Sequence, residues 1–332
     1  MNSGRRTGWI VGGVLATVLV LFGLVVLLAP RLGLSRTLGI AAVLPARDAL
    51  TAGGVLALVI AAVACFWRSP RPVALPLGVA MVILVAASTP AFVGRGLTDA
   101  DPDAPDATRL RVLEWNTNGG LVDPDAIMSL ADRQQADVVV LPDALIGKTT
   151  SAYRQAIAAS GGKMRLFAQS GRSVELAVLI AEPYADEYRI TGAGPDANKT
   201  LILAPARSDL PTIVALHSVK PTPRGMSLWR SELNWVADQC GSGRVIVTGD
   251  FNASIDNFGG PGLGTCRDAA IAMHAGSVGT WPTVLPTWVG MPIDHVLTTP
   301  AAGSVLGFTV LASEDRSGAR HRPTLTVISE AK

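Results

Sequence analysis

The amino-acid sequence predicts an α/β protein: a two-sheet, four-layer β-sandwich flanked by helices and preceded by three transmembrane helices. Three observations predict it. The first third of the chain carries long apolar runs without charge. The remainder alternates short apolar strands with few helices, the pattern of two sheets packed face to face under outer helices. The polar residues that interrupt this pattern fall at strand ends, where side chains build sites rather than cores.

No charged residue lies between Arg6 and Arg31, and the run that starts at Trp9 supplies the roughly 20 apolar residues that a bilayer-spanning helix needs. The same composition returns from Ala49 to Trp67 and from Pro72 to Gly94. Spans are therefore expected at 9–30, 49–67 and 73–94, within a membrane anchor of residues 1–96. Pro72, Pro76 and Pro90 punctuate the third span and are accommodated near helix ends or by neighbouring helices. The first span has Arg5 and Arg6 before it, as a signal peptide would, but no Ala-x-Ala cleavage site precedes the later spans. Arg5, Arg6, Arg68 and Arg71 fall on one side of the membrane and Arg31, Arg36 and Arg47 on the other. If the first helix sets the orientation, the chain is a multi-pass protein of the plasma membrane with everything after Arg95 outside the cytoplasm.

Residues 97–107, with Asp-Pro-Asp-Ala-Pro-Asp at their centre, read as a solvated linker, and the second domain as 108–332. Its elements follow in order. Leu110–Trp115 is a strand, Pro124–Arg133 a helix opened by Asp123, and 137–141 a short apolar strand. A helix covers 152–159, and strands cover 164–168, 175–180, 200–204 and 212–217. The helix 227–240 sets Leu228, Trp229, Leu233, Trp235 and Val236 on a mostly apolar surface. Strands at 244–250, 293–297, 305–311 and 324–328 complete the domain. The formal charge of +2 and the lack of a Lys/Arg cluster give no nucleic-acid footprint. Cys65 reads as a small apolar residue of the second span. Cys240 and Cys266 flank the 244–250 strand and would be able to pair in an oxidising compartment, or else are two buried thiols.

The strand 244–250 is the most informative segment. Val245 to Val247 fix it in a sheet, Gly249 permits close approach or a tight turn, and Asp250 and Asn252, two residues apart, point to one side. Asn116 ends the strand Leu113-Glu114-Trp115, Asp143 follows Val140-Leu141-Pro142, and His217 ends another strand. Asp294 and His295 open a further one, and Arg320-His321-Arg322-Pro323 precedes the last. An Asx turn explains a lone Gly-Asp-Phe-Asn equally well; six such motifs in this order carry more.

From Arg109 to about Ile328, that order resembles the endonuclease/exonuclease/phosphatase superfamily, and the anchored arrangement resembles a bacterial subgroup with three helices before an external catalytic domain. The resemblance implies that His321 is the general base for an attacking water and that Asp294 orients its imidazole, which suits this work when neutral near pH 7. Asp250 would align the water or receive charge near the leaving group, and Asn252 and His217 would donate to phosphoryl oxygens. Asn116 and Asp143 would hold a divalent metal, Mg²⁺ or Mn²⁺, since hard cations prefer oxygen ligands.

Two residues depart from the family pattern. Asp143 stands where a longer Glu is usual, and Arg320 replaces the Asp of Ser-Asp-His. A guanidinium within about 4 Å of a divalent cation is repelled by several kcal/mol at intermediate dielectric, so Arg320 is expected to point away, weaken the metal, or pair with the substrate phosphate in its place. The expected partners are a membrane and a phosphate-ester substrate, whether lipid, nucleotide or nucleic acid; no protein partner is inferable. The expected function is membrane-anchored hydrolysis of phosphodiesters or phosphomonoesters, the alternative being an impaired relative that binds a phosphorylated ligand without cleaving it. His295 reads as a packing or rim residue, and Asp256 and Asn257 as a turn.

Overall fold

The computed structural model describes residues 3–98, 109–144, 146–168, 175–182, 184–259 and 262–329. Most of the expected linker, 99–107, lies outside them. Helix α1 (Ser3–Leu28), the helical stretch Ile40–Ala64 that ends in α3 (Arg47–Ala64), and α4 (Arg71–Arg95) are long and apolar enough to cross a membrane, and α1 and α3 both pack on α4. Between α1 and α3, at the end of the bundle where α4 finishes, a turn of helix α2 (Ile40–Val43) runs into a 3₁₀ turn, Leu44–Ala46.

Twelve strands follow: β1 (Arg109–Glu114), β2 (Val138–Pro142), β3 (Met164–Phe167), β4 (Leu176–Ala181), β5 (Tyr188–Gly192), β6 (Thr200–Pro205), β7 (Thr212–His217), β8 (Val245–Asp250), β9 (Arg267–Asp268), β10 (Asp294–Thr298), β11 (Val305–Val310) and β12 (Thr324–Ser329). They form two six-stranded mixed sheets, β11-β12-β1-β2-β4-β3 and β5-β6-β7-β8-β10-β9. Helices α5 (Pro124–Arg133) and α6 (Ile146–Ala159) cover the first sheet, and α7 (Met226–Gln239) covers the second; α8 (Ala269–Ala272) lies near β10 and β11. Three apolar clusters fill the layers. Val112, Val140, Val178, Ile213, Ile246 and Val296 pack between the sheets. Leu113, Ile127, Val139 and Tyr153 pack between the first sheet and its helices. Val214, Trp229, Leu233 and Val247 pack under α7, and Ala41 from α2 joins them.

Each sheet has one parallel pair at its centre, β1 with β2 and β7 with β8. A parallel pair requires a crossover, supplied by α5 and α7, and both strands of the pair then end at the same edge. That is why the tips of β1, β2, β7 and β8 meet. The sequence reading missed β5, β9 and α8. β5 is largely exposed, and β9 and α8 are too short for a period to register.

The domain is docked on the helices as well as joined to them. Asp256 accepts from Arg47 at 2.6 Å and from Arg95 at 2.6 and 2.5 Å, with side chains only about a tenth exposed. Asn257 donates to the carbonyls of Ser35 and Ala41, and its own carbonyl accepts from Arg36. These two residues were expected in a simple turn. They do lie in a turn, the 3₁₀ turn Ile255–Phe258, with a capping box between Ser254 and Asn257, and they also form the joint with the amino-terminal helices. Cys240 and Cys266 are bonded as a disulfide that ties the end of α7 to the start of β9.

Candidate active site

Gly249 has φ 144°, and a side chain there would meet the Leu216 carbonyl at 1.9 Å. Glycine is therefore required one residue before the tip of β8, where β7 approaches. His217 and Asp250 then pair in register, and across the antiparallel neighbour Asp250 pairs with Asp294. Three functional residues of one sheet thus arrive side by side from three strands. The first sheet contributes Asn116 just after β1, whose Nδ2 donates to Asp250 Oδ2 at 2.9 Å.

Nδ1 of His321 bonds the Asp294 carboxylate at 2.9 and 3.0 Å. Its Nε2 faces Asp250 Oδ2 at 3.9 Å, and His217 Nε2 faces the same oxygen at 3.7 Å. Both gaps exceed a hydrogen bond and leave the two imidazoles converging on one carboxylate. Trp115, fully buried, donates through its indole N–H to the His321 carbonyl at 3.0 Å and fixes the backbone that carries the imidazole. Buried Arg322 donates to the carbonyls of Gly279, Thr283 and Leu285 and to Asp315, anchoring the 279–285 loop beside it.

Asn116, His217, Asp250 and His321 line a cavity of about 390 Å³ that also contains Asn118, Asp143, Glu175, Lys199, Lys220, Asn252, Trp281 and Arg320. All eight site residues named from the sequence, His321, Asp294, Asp250, Asn252, His217, Asn116, Asp143 and Arg320, meet at or directly behind it, Asp294 standing behind His321. Asn252, in the left-handed region at φ 45°, gives its amide to the Ser218 carbonyl at 2.8 Å, while its backbone N–H donates to Asp250 Oδ1 at 2.8 Å. It therefore braces Asp250. Arg320 is exposed at the rim, and its carbonyl accepts from Thr283.

Glu114, Glu175, Lys199 and Lys220 were missed by the sequence reading. Glu175 pairs with Lys199 at 2.9 Å. Glu175, Asp143 and His217 offer ligand atoms within 4.8 Å of one another, as do Asp250, Asp294 and His321. Glu175 precedes a strand in a polar stretch, and no spacing marks it.

The electrostatics follow from burial and proximity. Burial alone would depress the His321 imidazolium, but Asp294 and then Asp250 outweigh it and hold the group up to about 9. Burial pushes His217 down to about 3, with Lys199 and His321 adding to the effect, so His217 is uncharged. Burial, then the Asp294 charge, raises Asp250 to about 6. Glu114, wholly buried on β1, is raised well above the carboxylate range by burial and by Asp294 and Asp250. Burial and Glu175 raise Asp143.

A model of the Endonuclease/Exonuclease/phosphatase family matches residues 113–317. Among solved structures, truncated TDP2 from Caenorhabditis elegans superposes with a TM-score of 0.52 at 14% identity, over 67% of this chain and 97% of that one. The 3′ phosphatase NExo from Neisseria, bound to a product DNA hairpin, gives 0.52 at 14% identity over 65% and 98%. The 3′-5′ exonuclease NExo from Neisseria meningitidis gives 0.52 at 16% identity over 66% and 100%. At such identities the likeness is one of fold. No curated protein matches the chain.

Proposed function

Since the chain belongs to the endonuclease/exonuclease/phosphatase family, we propose that it is a membrane-anchored hydrolase of phosphate esters that activates water at His321. The observation that carries this reading is the His321 imidazole, held through Nδ1 by Asp294 and presenting Nε2 to Asp250 across a cavity with a cationic rim. With Nδ1–H donated to the carboxylate, the neutral form has its lone pair on Nε2, facing the cavity. There it takes a proton from water as the water oxygen bonds to phosphorus and the ester P–O bond breaks. Asp250, braced by Asn116 and Asn252, aligns the water. Neutral His217, together with Lys199, Lys220 and Arg320, meets the phosphoryl oxygens.

The residues present fit a divalent cation. Burial and the neighbouring carboxylate raise Asp143, and a cation held by Asp143 and Glu175 would relieve that repulsion, with Asn116 close by. When bound, it supplies positive charge to the phosphate, as divalent metals do in this family. Arg320 at the rim acts on the substrate phosphate.

With the first helix setting the orientation, Arg5 and Arg6 support an amino terminus in the cytoplasm and, after three crossings, a catalytic domain outside it. The Cys240–Cys266 disulfide accords with an oxidising compartment. An alkaline-phosphatase fusion after Gly96 should be active; a silent fusion there overturns this orientation. For the chemistry, the full chain in nanodiscs is assayed with p-nitrophenyl phosphate and bis-p-nitrophenyl phosphate, with and without Mg²⁺ or Mn²⁺. Turnover should vanish in His321→Ala, and a wild type no faster than that variant ends the hydrolase reading. Arg320→Asp should lose turnover; a gain in Mg²⁺-stimulated activity overturns the role given to Arg320.

A further inference from the structure

Beside the polar cavity lies a smaller one of about 180 Å³, and it shares Lys220, Asn252, Trp281 and His321 with its neighbour. The rest of its lining is Ala41, Ala42, Pro45, Pro221, Met291 and Ile293. Its walls are therefore apolar except where it opens on the catalytic imidazole. The first three of those residues belong to the segment that joins α1 to α3, so one wall of the site is built by the membrane anchor itself. That wall is held in place by Asn257, which binds the carbonyls of Ser35 and Ala41, and by the clamp of Arg47 and Arg95 on Asp256.

A second apolar space continues toward the bilayer. A groove of about 440 Å³ runs between α1 and α3, over α4, through the halves of these helices nearest the catalytic domain. Phe22, Val26, Leu50, Ala57, Leu84 and Val85 line it, and Arg47 closes its upper end. Arg47 is two residues beyond Pro45, so the 3₁₀ turn Leu44–Ala46 separates the groove from the small cavity. Trp281 leads into a loop where Val284, Leu285 and Trp288 are exposed. A substrate dissolved in water accounts for the cationic rim but for none of these apolar surfaces.

We infer that the ester cleaved at this site is a lipid phosphate drawn from the bilayer, its phosphate among His321, His217, Lys199 and Arg320 and the first part of its hydrocarbon against Ala41, Ala42, Pro45 and Met291. This inference rests on the phosphoesterase reading and on the three apolar helices spanning a membrane. A phosphate at the end of an acyl or prenyl chain matches the sequence of surfaces met from the groove to His321: apolar, then mixed, then cationic.

The test uses the full chain in nanodiscs, with p-nitrophenyl phosphate as the soluble ester and phosphatidic acid as the lipid ester. Ala42 is exposed at the cavity wall, so Ala42→Trp and Ala42→Asp alter the cavity without disturbing the core. Each should slow phosphatidic acid hydrolysis by about tenfold or more relative to hydrolysis of the soluble ester by the same variant. In His321→Ala, phosphatidic acid carrying a diazirine near its glycerol should label Ala42 or Met291, and phosphatidylcholine with the same diazirine should not. Equal effects of Ala42→Trp on both esters, together with no headgroup-selective label, overturn the lipid assignment and leave the hydrolase reading standing. Selective labelling without turnover of either ester supports the lipid site while removing the hydrolase reading.

Discussion

Two histidines in this domain are held by aspartates in nearly the same way, and they differ at the ring nitrogen that remains. His321 bonds Asp294 through Nδ1 at 2.9 Å, and His295 bonds Asp268 through Nδ1 at 2.7 Å. Both imidazoles are buried, and burial is outweighed in both by the neighbouring carboxylates, so both are raised above the ordinary histidine value. The difference lies at the other nitrogen. Nε2 of His295 is closed off by the Ala253 carbonyl at 2.9 Å, and the ring packs edge-on against Phe251. Nε2 of His321 faces a second carboxylate across open space. A histidine–carboxylate pair becomes chemistry only where its remaining nitrogen is left unsatisfied toward a cavity; where a carbonyl satisfies it, the pair is a strut.

The comparison is broken most severely by His321→Ala, which should lower kcat/KM for a soluble phosphate ester by about 10³-fold. If His295→Leu lowers turnover as much, the distinction drawn here is wrong. Asp294→Asn should come next, with a loss of about 10²-fold, since the imidazole then loses its oriented tautomer. The same variant sharpens the comparison through pH. In the wild type the base form of His321 grows only as pH rises toward about 9, so kcat/KM measured without added metal should climb between pH 7 and 9. In Asp294→Asn the limb should move toward acid, because the carboxylate that holds the proton is gone. A limb that stays in place would assign the titration to another group.

For His295 the expected effect is on stability. Removing it leaves Asp268 buried, although that carboxylate also caps α8 by accepting from the Ile271 N–H. Breaking a buried pair costs about 3 kcal/mol or more, read as a fall in Tm of the full chain, with hydrolysis changed by less than about twofold. The sign with pH follows from the raised folded value. The contribution is fully present below the unfolded value of about 6.5 and is lost as pH rises through the folded one, so the Tm gap between wild type and His295→Leu should narrow from pH 6 toward alkaline pH. A gap that widens would contradict the pairing. The smallest effect on catalysis is expected from Asp256→Ala, which frees Arg47 and Arg95. It should loosen the joint with the helices, seen as faster proteolysis between the two parts, while p-nitrophenyl phosphate turnover stays within about twofold of wild type.

Much of this was legible in the chain. The apolar runs at Val138–Leu141 and Val245–Val247 declare buried strands because a strand covered on both faces must be apolar throughout. Gly249-Asp250-Phe251-Asn252 declares a strand tip, and His321 beside a last strand is visible for the same reason. Glu175 and Lys199 carry no such mark. Each sits in a polar stretch, and the two meet Asp143 and His217 only because the sheets face one another. Glu114, in the middle of a motif whose neighbours were noticed, passed as an ordinary strand residue, although its carboxylate lies buried near Asp250 and Asp294. Asp256 and Asn257 were read as a turn, which they form, but their docking contacts were not, because a turn and a docking joint look alike until the partner, more than 150 residues away, is known.

The sequence by itself determined the local elements: apolar helices of spanning length, strands of alternating or continuous hydrophobicity, and polar residues at their ends, because each is a property of a few neighbouring residues and the period they follow. Which tips converge, which nitrogen of which histidine stays open, and that a segment between two long apolar helices walls the cavity were decided only by the tertiary structure. Those are distances between residues far apart in the chain, set by two parallel strand pairs whose crossovers bring their ends to one edge.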